Sequence, residues 1–167
     1  AVKESVVTGR GRFAPSPTGP LHVGSLVAAL GSFLEARTRG HEWLVRMEDL
    51  DPPRESHEAA RRILDSLVAH GLVWDADVLW QSQRHDAYGD VVERLLARGE
   101  AFRCDCTRAQ LKNQGNVYHG RCRQRRISPD APAAVRVRVS GATRIRVEDR
   151  IQPPLEQDLA QTVGDFI

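Results

Sequence analysis

Residues 11–37, GRFAPSPTGPLHVGSLVAALGSFLEAR, place three prolines and four glycines around the start of a helical pattern. Pro15 is expected to end a short buried strand over residues 11–15, because proline donates no hydrogen bond to a sheet. The apolar residues between Gly24 and Arg37 recur at helical spacing: Leu26, Val27, Leu30, Phe33 and Leu34. A Gly- and Pro-rich turn between strand and helix gathers backbone N–H groups at a positive helix end, which suits phosphate.

The chain beyond this stretch continues to alternate strands and helices. Residues 42–48 predict a second strand, and residues 56–70 and 86–98 predict two further amphipathic helices. Residues 72–84, between those helices, are typical of a loop. This order predicts a βαβ unit with a parallel sheet, and therefore an α/β fold.

The net charge of +2 conceals a strongly basic segment. Residues 101–150 contain 12 Lys or Arg against 4 Asp or Glu, a net +8, whereas residues 1–100 contain 12 against 15. Such an excess could attract a polyanion such as RNA, although an Arg-rich solvated face has the same composition. The change predicts a boundary near residue 100, between a nucleotide-binding-type core and a small basic insertion. Within the insertion, residues 133–139 and 143–149 alternate apolar and basic residues and are expected to pair as a hairpin.

The remaining composition is that of a globular protein, with 41% hydrophobic and 28% charged residues. The sequence has no run of 18 apolar residues and residues 1–10 lack an apolar signal core, so we expect a cytoplasmic protein with no membrane partner. The three cysteines are odd in number, and Cys104 and Cys106 are too close for an ordinary disulfide. This pattern favours metal or free thiols.

His22 and Gly24 stand where the opening turn meets the helix, in a sequence that has neither a Walker lysine pattern nor G-x-G-x-x-G. Alone, this histidine could be an incidental residue at a helix start. However, the fourteen residues 12–25, RFAPSPTGPLHVGS, resemble the first signature of class I aminoacyl-tRNA synthetases in the form of the glutamyl branch. Residues 46–54, RMEDLDPPR, resemble that branch's R-x-E-D-x-D segment. The resemblance covers residues 11–167 and implies a Rossmann-like catalytic core.

The resemblance also implies a reaction and its residues. A carboxylate oxygen of L-glutamate would attack the α-phosphorus of Mg-ATP to form glutamyl-adenylate, a step that depends on positioning and charge stabilisation. His22 and Gly24 would be the catalytic signature pair that contacts ATP, with Ser25 at the fourth signature position, where the wider family has histidine. Glu48 would hold the α-ammonium group of glutamate. The segment that matches the rest of the amino-acid site comprises Arg12, Phe13, Ala14, Pro15 and Ser16.

The acidic residues after the second strand have another interpretation when they are taken alone. Glu48, Asp49 and Asp51 could form a solvated acidic loop or bind a divalent cation. The neighbouring first signature favours the glutamate-binding role for Glu48.

The cysteines suggest a metal site, because Cys104, Cys106 and Cys122 offer three of the four ligands of a tetrahedral zinc. General zinc chemistry favours His119 as the fourth ligand, since a phenol with a pKa near ~10 ligates poorly. The segment resembles the C-x-C…Y-x-G-x-C-R insertion of glutamyl-Q tRNA(Asp) synthetases, which are short paralogues of glutamyl-tRNA synthetases. That resemblance implies Tyr118 as the ligand and one structural zinc per chain. Three unlinked buried thiols are the alternative.

The glutamyl-Q resemblance implies transfer of glutamate to the queuosine base in the anticodon stem-loop of tRNA(Asp), by a monomer whose arginines contact phosphates. Two other functions stay open: a discriminating glutamyl-tRNA synthetase that charges the 3′ end of tRNA(Glu), and a non-catalytic zinc- and RNA-binding module. The discriminating enzyme would carry a helical anticodon-binding domain, and the module would bind neither ATP nor glutamate.

The second class I signature, a lysine-bearing loop, has no counterpart here, because the only lysines are Lys3 and Lys112. We therefore expect residues 1–100 to be the first half of the catalytic domain, followed by the insertion over 101–150. Residues 151–167 would lead back towards a second half. As a fragment of a longer protein, the chain is expected not to sustain adenylation alone.

Overall fold

A computed structural model of the protein describes residues 9–112, 117–118, 120–141, 143–149 and 152–167. The contacts divide the chain into two compact units, residues 1–85 and 86–167. The division into two parts of a catalytic domain (residues 1–100 and 151–167) and an insertion (residues 101–150) stays a prediction.

The first unit is an α/β structure built on a parallel sheet, which confirms the predicted fold class. Its elements are β1 (Arg10–Phe13), α1 (Val23–Thr38), β2 (Glu42–Met47), α2 (His57–Ala69), β3 (Leu79–Trp80) and a 3-10 helix (Gln81–Arg84). The strands lie in the order β1-β2-β3 and are all parallel. The loop predicted over residues 72–84 is wrong at its end, since β3 pairs there with Arg46 and Met47 of β2.

The core of this unit forms because β2 turns alternate residues inward. Trp43, Val45 and Met47 are buried, and Ile63 and Leu67 of α2 pack in the same cluster. Ser56 begins α2 as its N-cap, accepting a hydrogen bond from the Ala59 N–H at 3.0 Å.

Helix α1 packs through small residues rather than through its large apolar ones. Ala29 and Ala36 are its buried residues, and a Cβ added to Gly11 of β1 would lie 2.8 Å from the Ala36 Cβ. The helix therefore lies too close to the strand for larger side chains. Of the apolar stripe noted in the sequence, Phe33 packs against the core. An α1 row of four residues is exposed to solvent: Val23 (76%), Val27 (63%), Leu30 (46%) and Leu34 (49%).

One carboxylate ties three parts of the first unit together. Asp75 Oδ2 accepts hydrogen bonds from Arg37 Nη1 of α1 and from the Trp43 N–H of β2, each at 2.6 Å. The hydrogen bond from Arg37 lowers the pKa of Asp75 below its ordinary value, against the opposing effect of burial.

The second unit consists of short elements. They are α3 (His85–Ala97, whose first residue belongs to the first unit), β4 (Ala101–Cys104), α4 (Arg108–Lys112), β5 (Ala134–Val137), β6 (Arg144–Val147), β7 (Leu155–Asp158) and α5 (Leu159–Thr162). The strands form two antiparallel pairs, β4–β5 and β6–β7.

The hairpin predicted between residues 133–139 and 143–149 is wrong, because β5 pairs with β4 and β6 pairs with β7. Alternation of apolar and basic residues determines which side chains share a face but not which strand lies alongside. Charge complementarity assists the observed pairing, since Arg144 of β6 lies 3.3 Å from Glu156 of β7.

In the part of the chain that the structure describes, no helix has the length and hydropathy needed to cross a membrane.

Candidate active site and metal centre

The two segments that resemble synthetase signatures meet at the ends of parallel strands. The Glu48 N–H, just after β2, donates to the Pro15 carbonyl at 2.9 Å, and the Ser56 N–H donates to the Pro17 carbonyl at 3.1 Å. The loop after β1 is therefore fastened to the loop after β2. Ligand sites in parallel sheets characteristically form at such carboxyl ends.

Residues 12–16 alternate between the core and the surface. Arg12 and Ser16 are exposed, whereas Phe13 and Pro15 are buried. Phe13 stacks on Trp43 with ring centroids 6.4 Å apart, so its side chain belongs to the core. Ala14 is half-buried.

His22 is the N-cap of α1 and its ring is fixed by Ser25. The ring Nδ1 accepts from the Ser25 N–H at 3.3 Å, and Nε2 lies 3.2 Å from Ser25 Oγ. The tautomer of the ring decides whether Nε2 donates to the Ser25 hydroxyl or accepts from it. A Cβ at Gly24 would lie 3.0 Å from the imidazole Cε1, so the glycine leaves room for this ring. His22 and Gly24, which are exposed, and the half-buried Ser25 thus form one arrangement at a helix N-terminus.

The acidic residues after β2 already have partners within the first unit. Glu48 forms an ion pair with Arg46, and Asp51 accepts from Arg54 Nε at 2.6 Å. Asp49 accepts from the N–H and the hydroxyl of Ser82, at 2.9 and 2.5 Å. Burial raises the pKa of Asp49, but the Ser82 hydrogen bonds outweigh it and the pKa is lowered. These pairings disfavour the divalent-cation interpretation.

Sequence reasoning missed a cleft of about 280 Å³ beside this acidic segment. Asp49, Ser56, His57, Trp80 and Ser82 are among the residues that line it. The Trp80 and His57 rings lie 6.0 Å apart. Nothing in the sequence predicted that β3 and the 3-10 helix after it would bring Trp80 and Ser82 to this position.

The three cysteines lie together in the second unit. The Sγ atoms of Cys104, Cys106 and Cys122 are all within 4.8 Å of one another, and those of Cys106 and Cys122 are 3.5 Å apart. Tyr118 Oη lies 3.5 Å from Cys104 Sγ and accepts from the Cys122 N–H at 2.9 Å. The competing candidate His119 lies outside the described residues.

The three thiols could hold a metal ion, and the Tyr118 phenol oxygen beside Cys104 offers a fourth donor atom. Zinc–sulfur bonds of ~2.3 Å place tetrahedral sulfurs about 3.8 Å apart, which is close to the spacing of this cluster. Within the described residues, no other group of three or more His, Cys, Asp or Glu side chains could hold a metal ion.

The thiols of the cluster differ in acidity. Burial raises the pKa of Cys104, but hydrogen bonds with Tyr118, the Cys106 N–H and Arg136 outweigh it and lower the pKa to about 7. Burial and the two neighbouring thiols raise the pKa of Cys106 to about 11. Burial likewise raises the pKa of Tyr118 well above its ordinary value. Cys104 is therefore more readily available as a thiolate than Cys106.

Residues near the end of the chain hold this cluster in place. Gly164 has φ of +67°, and a Cβ there would lie 2.2 Å from the Tyr118 carbonyl oxygen. Asp165, fully buried, receives two hydrogen bonds from Arg123 at 2.5 and 2.7 Å and one from the Val139 N–H at 2.9 Å. Arg123 follows the proposed ligand Cys122 directly, so this ion pair positions the ligand's main chain.

The chain is also similar to known proteins. The chain is 55% identical to a glutamyl-Q tRNA(Asp) synthetase of Thiobacillus denitrificans, covering 94% of this chain and 54% of that protein. It is 57% identical to the Escherichia coli protein of that name, over 77% of this chain and 41% of the relative. The chain spans about half the length of the curated relatives it matches.

A solved structure is also similar. The crystal structure of a glutamate tRNA ligase from Elizabethkingia meningosepticum in complex with its amino acid aligns with 94% of this chain and 38% of its own, with a TM-score of 0.76 and 25% identity. The family model of the class I tRNA synthetases (E and Q), catalytic domain, matches residues 7–156. The chain therefore belongs to the class I tRNA synthetase family for glutamate and glutamine, and it matches the catalytic domain of that family.

Proposed function

We propose that the protein activates L-glutamate with Mg-ATP and transfers it from the adenylate to the queuosine base of tRNA(Asp). The family supports glutamate transfer to tRNA, and the names of relatives that are 48–57% identical support the queuosine acceptor. The observation that carries the proposal is the hydrogen bond between the Glu48 N–H and the Pro15 carbonyl, which joins the two signature segments.

Glutamate would lie beside the loops that follow β1 and β2. The exposed guanidinium of Arg12 suits a bidentate grip on a carboxylate, and Glu48 would accept from the α-ammonium group. Arg46, already paired with Glu48, holds that carboxylate in place. The side chains of Phe13 and Pro15 are buried, so these residues would contribute to the site through their main chain. Ala14 is half-buried and Ser16 is exposed.

ATP would approach the N-terminus of α1, where backbone N–H groups and the helix dipole favour phosphate. The exposed His22 ring would stabilise charge that develops on the phosphates rather than act as a nucleophile. Gly24 leaves the ring room, and Ser25 fixes its orientation through both nitrogens.

The metal of the second unit is proposed to be one structural zinc, held by Cys104, Cys106, Tyr118 and Cys122. Zinc bound there would close a small unit whose buried apolar cluster is limited. The N–H of Cys122 donates to Tyr118 Oη, which orients the phenol oxygen towards the thiols.

The tRNA contact is proposed for exposed arginines beside the metal cluster, such as Arg121 and Arg126. Arginines that contact phosphates position RNA without reading its sequence. Arg123 and Arg136 face inward instead, so the RNA-binding charge is smaller than the net +8 of the segment suggests. We propose the anticodon stem-loop as the bound region, a monomer as the acting form, and the cytoplasm, where ATP and tRNA occur, as its location.

The test is a charging assay with labelled glutamate and the intact gene product, on three RNAs: tRNA(Asp) with queuosine, tRNA(Asp) with guanosine at that position, and tRNA(Glu). We expect label only on the first RNA. Label on tRNA(Glu) would favour the discriminating glutamyl-tRNA synthetase. Absence of both charging and glutamate-dependent pyrophosphate exchange would favour the non-catalytic module.

A further inference from the structure

Arg136 lies against the metal cluster although it is not one of the proposed ligands. It is only 6% exposed and stands opposite Phe102 in the β4–β5 pair. Its guanidinium carbon lies 4.2 Å from the centre of the Tyr118 ring, and the group also interacts with the Cys104 thiol. One buried cation therefore contacts two of the four proposed ligands.

The hydrogen bonding of this guanidinium is incomplete. Nη1 donates to the main-chain carbonyl of Asp165 at 2.8 Å, but Nε is buried and has no partner. Among the described residues, no carboxylate forms an ion pair with Arg136. Burying a cation without a neighbouring anion costs free energy, so negative charge near Arg136 would stabilise the fold.

Two other arginines near the cluster differ from Arg136 in this respect. Arg123 is paired with Asp165, and Arg125 is paired with Asp105 at 2.6 Å while it also reaches Cys122 Sγ at 3.6 Å. The charges of both are therefore balanced by carboxylates. Arg136 differs from them because its own charge is not balanced in this way.

A thiolate-rich metal centre would supply the missing anion. A divalent zinc with three thiolates carries a charge of about −1, and a phenolate ligand would make it more negative. A buried negative centre and a buried guanidinium stabilise each other in a region of low dielectric constant.

We propose that Arg136 is a positioning residue of the metal centre, whose guanidinium balances the negative charge of the ligand set and holds the Tyr118 ring. The inference rests on the metal site proposed above. It predicts that Arg136 raises metal affinity without donating to the metal.

The experiment measures the zinc affinity of the intact gene product by competition with a chromophoric chelator, in the parent, Arg136→Met, Arg136→Lys and Arg103→Met. Arg103 is the matched control, because it also lies in this strand pair and has a buried Nε without a partner. Its Nη2 donates to the carbonyls of Pro129 and Ala131 rather than to the cluster.

We expect Arg136→Met to weaken zinc binding about 10- to 100-fold, as is usual when a group that supports metal ligands is removed. Arg136→Lys should recover part of the loss, and Arg103→Met should bind within about threefold of the parent. The d–d absorption of the cobalt-substituted protein should be unchanged in Arg136→Met, since the ligands are the same. Circular dichroism at saturating zinc checks folding.

Parent-like affinity in Arg136→Met would overturn the inference, and so would equal losses in Arg136→Met and Arg103→Met, which would indicate a general packing role. A changed cobalt spectrum would also overturn it, by indicating a different ligand set. If the parent itself binds neither zinc nor cobalt, the metal site fails and this inference falls with it. Failure of the metal site is distinguishable from failure of the Arg136 role, because it would be seen in the unsubstituted protein.

Discussion

The proposed role of Glu48 is to bind glutamate, and its side chain contributes little to the stability of the fold. It is about one-third exposed, and among the described residues its ion-pair partner is Arg46, another partly exposed side chain. Exposed ion pairs contribute little to stability, typically below ~1 kcal/mol. An unpaired ammonium group in a binding site costs considerably more, roughly 2–5 kcal/mol.

Replacing Glu48 with alanine should therefore raise the KM for glutamate at least about 30-fold, which corresponds to ~2 kcal/mol, while the melting temperature stays nearly constant. Glutamate-dependent pyrophosphate exchange by the intact gene product measures the effect. Glu42→Ala is the matched control, since Glu42 lies at the other end of β2 and pairs with exposed Arg10. An unchanged KM in a folded Glu48→Ala protein would contradict the proposed role.

Gly164 is a residue whose identity the backbone requires. It combines a positive φ with a Cβ position that overlaps the main chain of Tyr118. We expect Gly164→Ala to destabilise the second unit by more than ~3 kcal/mol, because neither backbone can move without disturbing the cluster.

The variant Gly141→Ala measures how much of the destabilisation by Gly164→Ala comes from the positive φ alone. Gly141 has φ of +78° but no atom within 4 Å of the added methyl group, so its substitution should cost only about 1 kcal/mol. Chemical denaturation followed by far-ultraviolet circular dichroism compares the two variants. Equal losses would show that the contact with Tyr118 is unimportant.

At the scale of elements, the contact between α1 and β1 depends on the absence of one side chain. Gly11→Ala would bring a methyl group within 2.8 Å of the Ala36 Cβ, and overpacking of this kind costs roughly 1–3 kcal/mol. Adding Ala36→Gly should relieve the clash although glycine weakens the helix by about 1 kcal/mol. A double-mutant cycle on urea unfolding should give a coupling of at least ~1 kcal/mol. Additive losses would argue against close packing at this point.

The link between α1, β2 and the following loop predicts a pH dependence. Arg37 lowers the pKa of Asp75 below its ordinary value of 3.8. The stabilisation is therefore complete above about pH 5 and is lost as the pH falls through the lowered pKa. Asp75→Asn should therefore destabilise the first unit at pH 7 but much less near pH 3. Urea unfolding at both pH values measures this, with Asp77→Asn as the control from the same loop. An equal loss at both pH values would contradict it.

The sequence predicted elements better than their partners. Helices α1, α2 and α3 lie within one or two residues of the predicted limits, because amphipathic spacing and terminal glycines are local signals. The two-residue strand β3 was missed because it exists only through pairing with β2. For the same reason, the partner of β5 was predicted incorrectly.

For the candidate site too, the sequence predicted the local motifs but not the contacts between residues that are distant in sequence. The motifs pointed to the residues of the signature segments, but no local pattern predicts the bond between Glu48 and Pro15. The buried position of Arg136 was not predicted, since alternation in β5 does not reveal that its side chain lies against Tyr118. Such contacts depend on strands that are distant in sequence.

At the scale of the whole molecule, the two units have separate sources of stability. The buried apolar cluster of the second unit consists of Phe102, Cys104, Tyr118 and Cys122, and three of these four are proposed metal ligands. The first unit has a larger core without a proposed ligand. All three tryptophans, Trp43, Trp74 and Trp80, belong to the first unit.

Chelation should therefore unfold the second unit selectively, because structural zinc contributes about 10–16 kcal/mol to the folding of small zinc domains. We expect a strong chelator to leave the unfolding midpoint seen by tryptophan fluorescence unchanged. Limited proteolysis should become faster within residues 101–167, and added zinc should reverse this. A common shift of both signals would show that the two units unfold together.

The α1 row has a consequence for how the protein behaves at high concentration. Its four exposed aliphatic side chains form a hydrophobic stripe along a 16-residue helix, which is about 24 Å long. Attraction between such stripes strengthens in sulfate and weakens in the cold. We therefore expect this helix to contribute to salting-out and to retention on phenyl chromatography media, and we expect a cold buffer low in sulfate to keep the chain in solution.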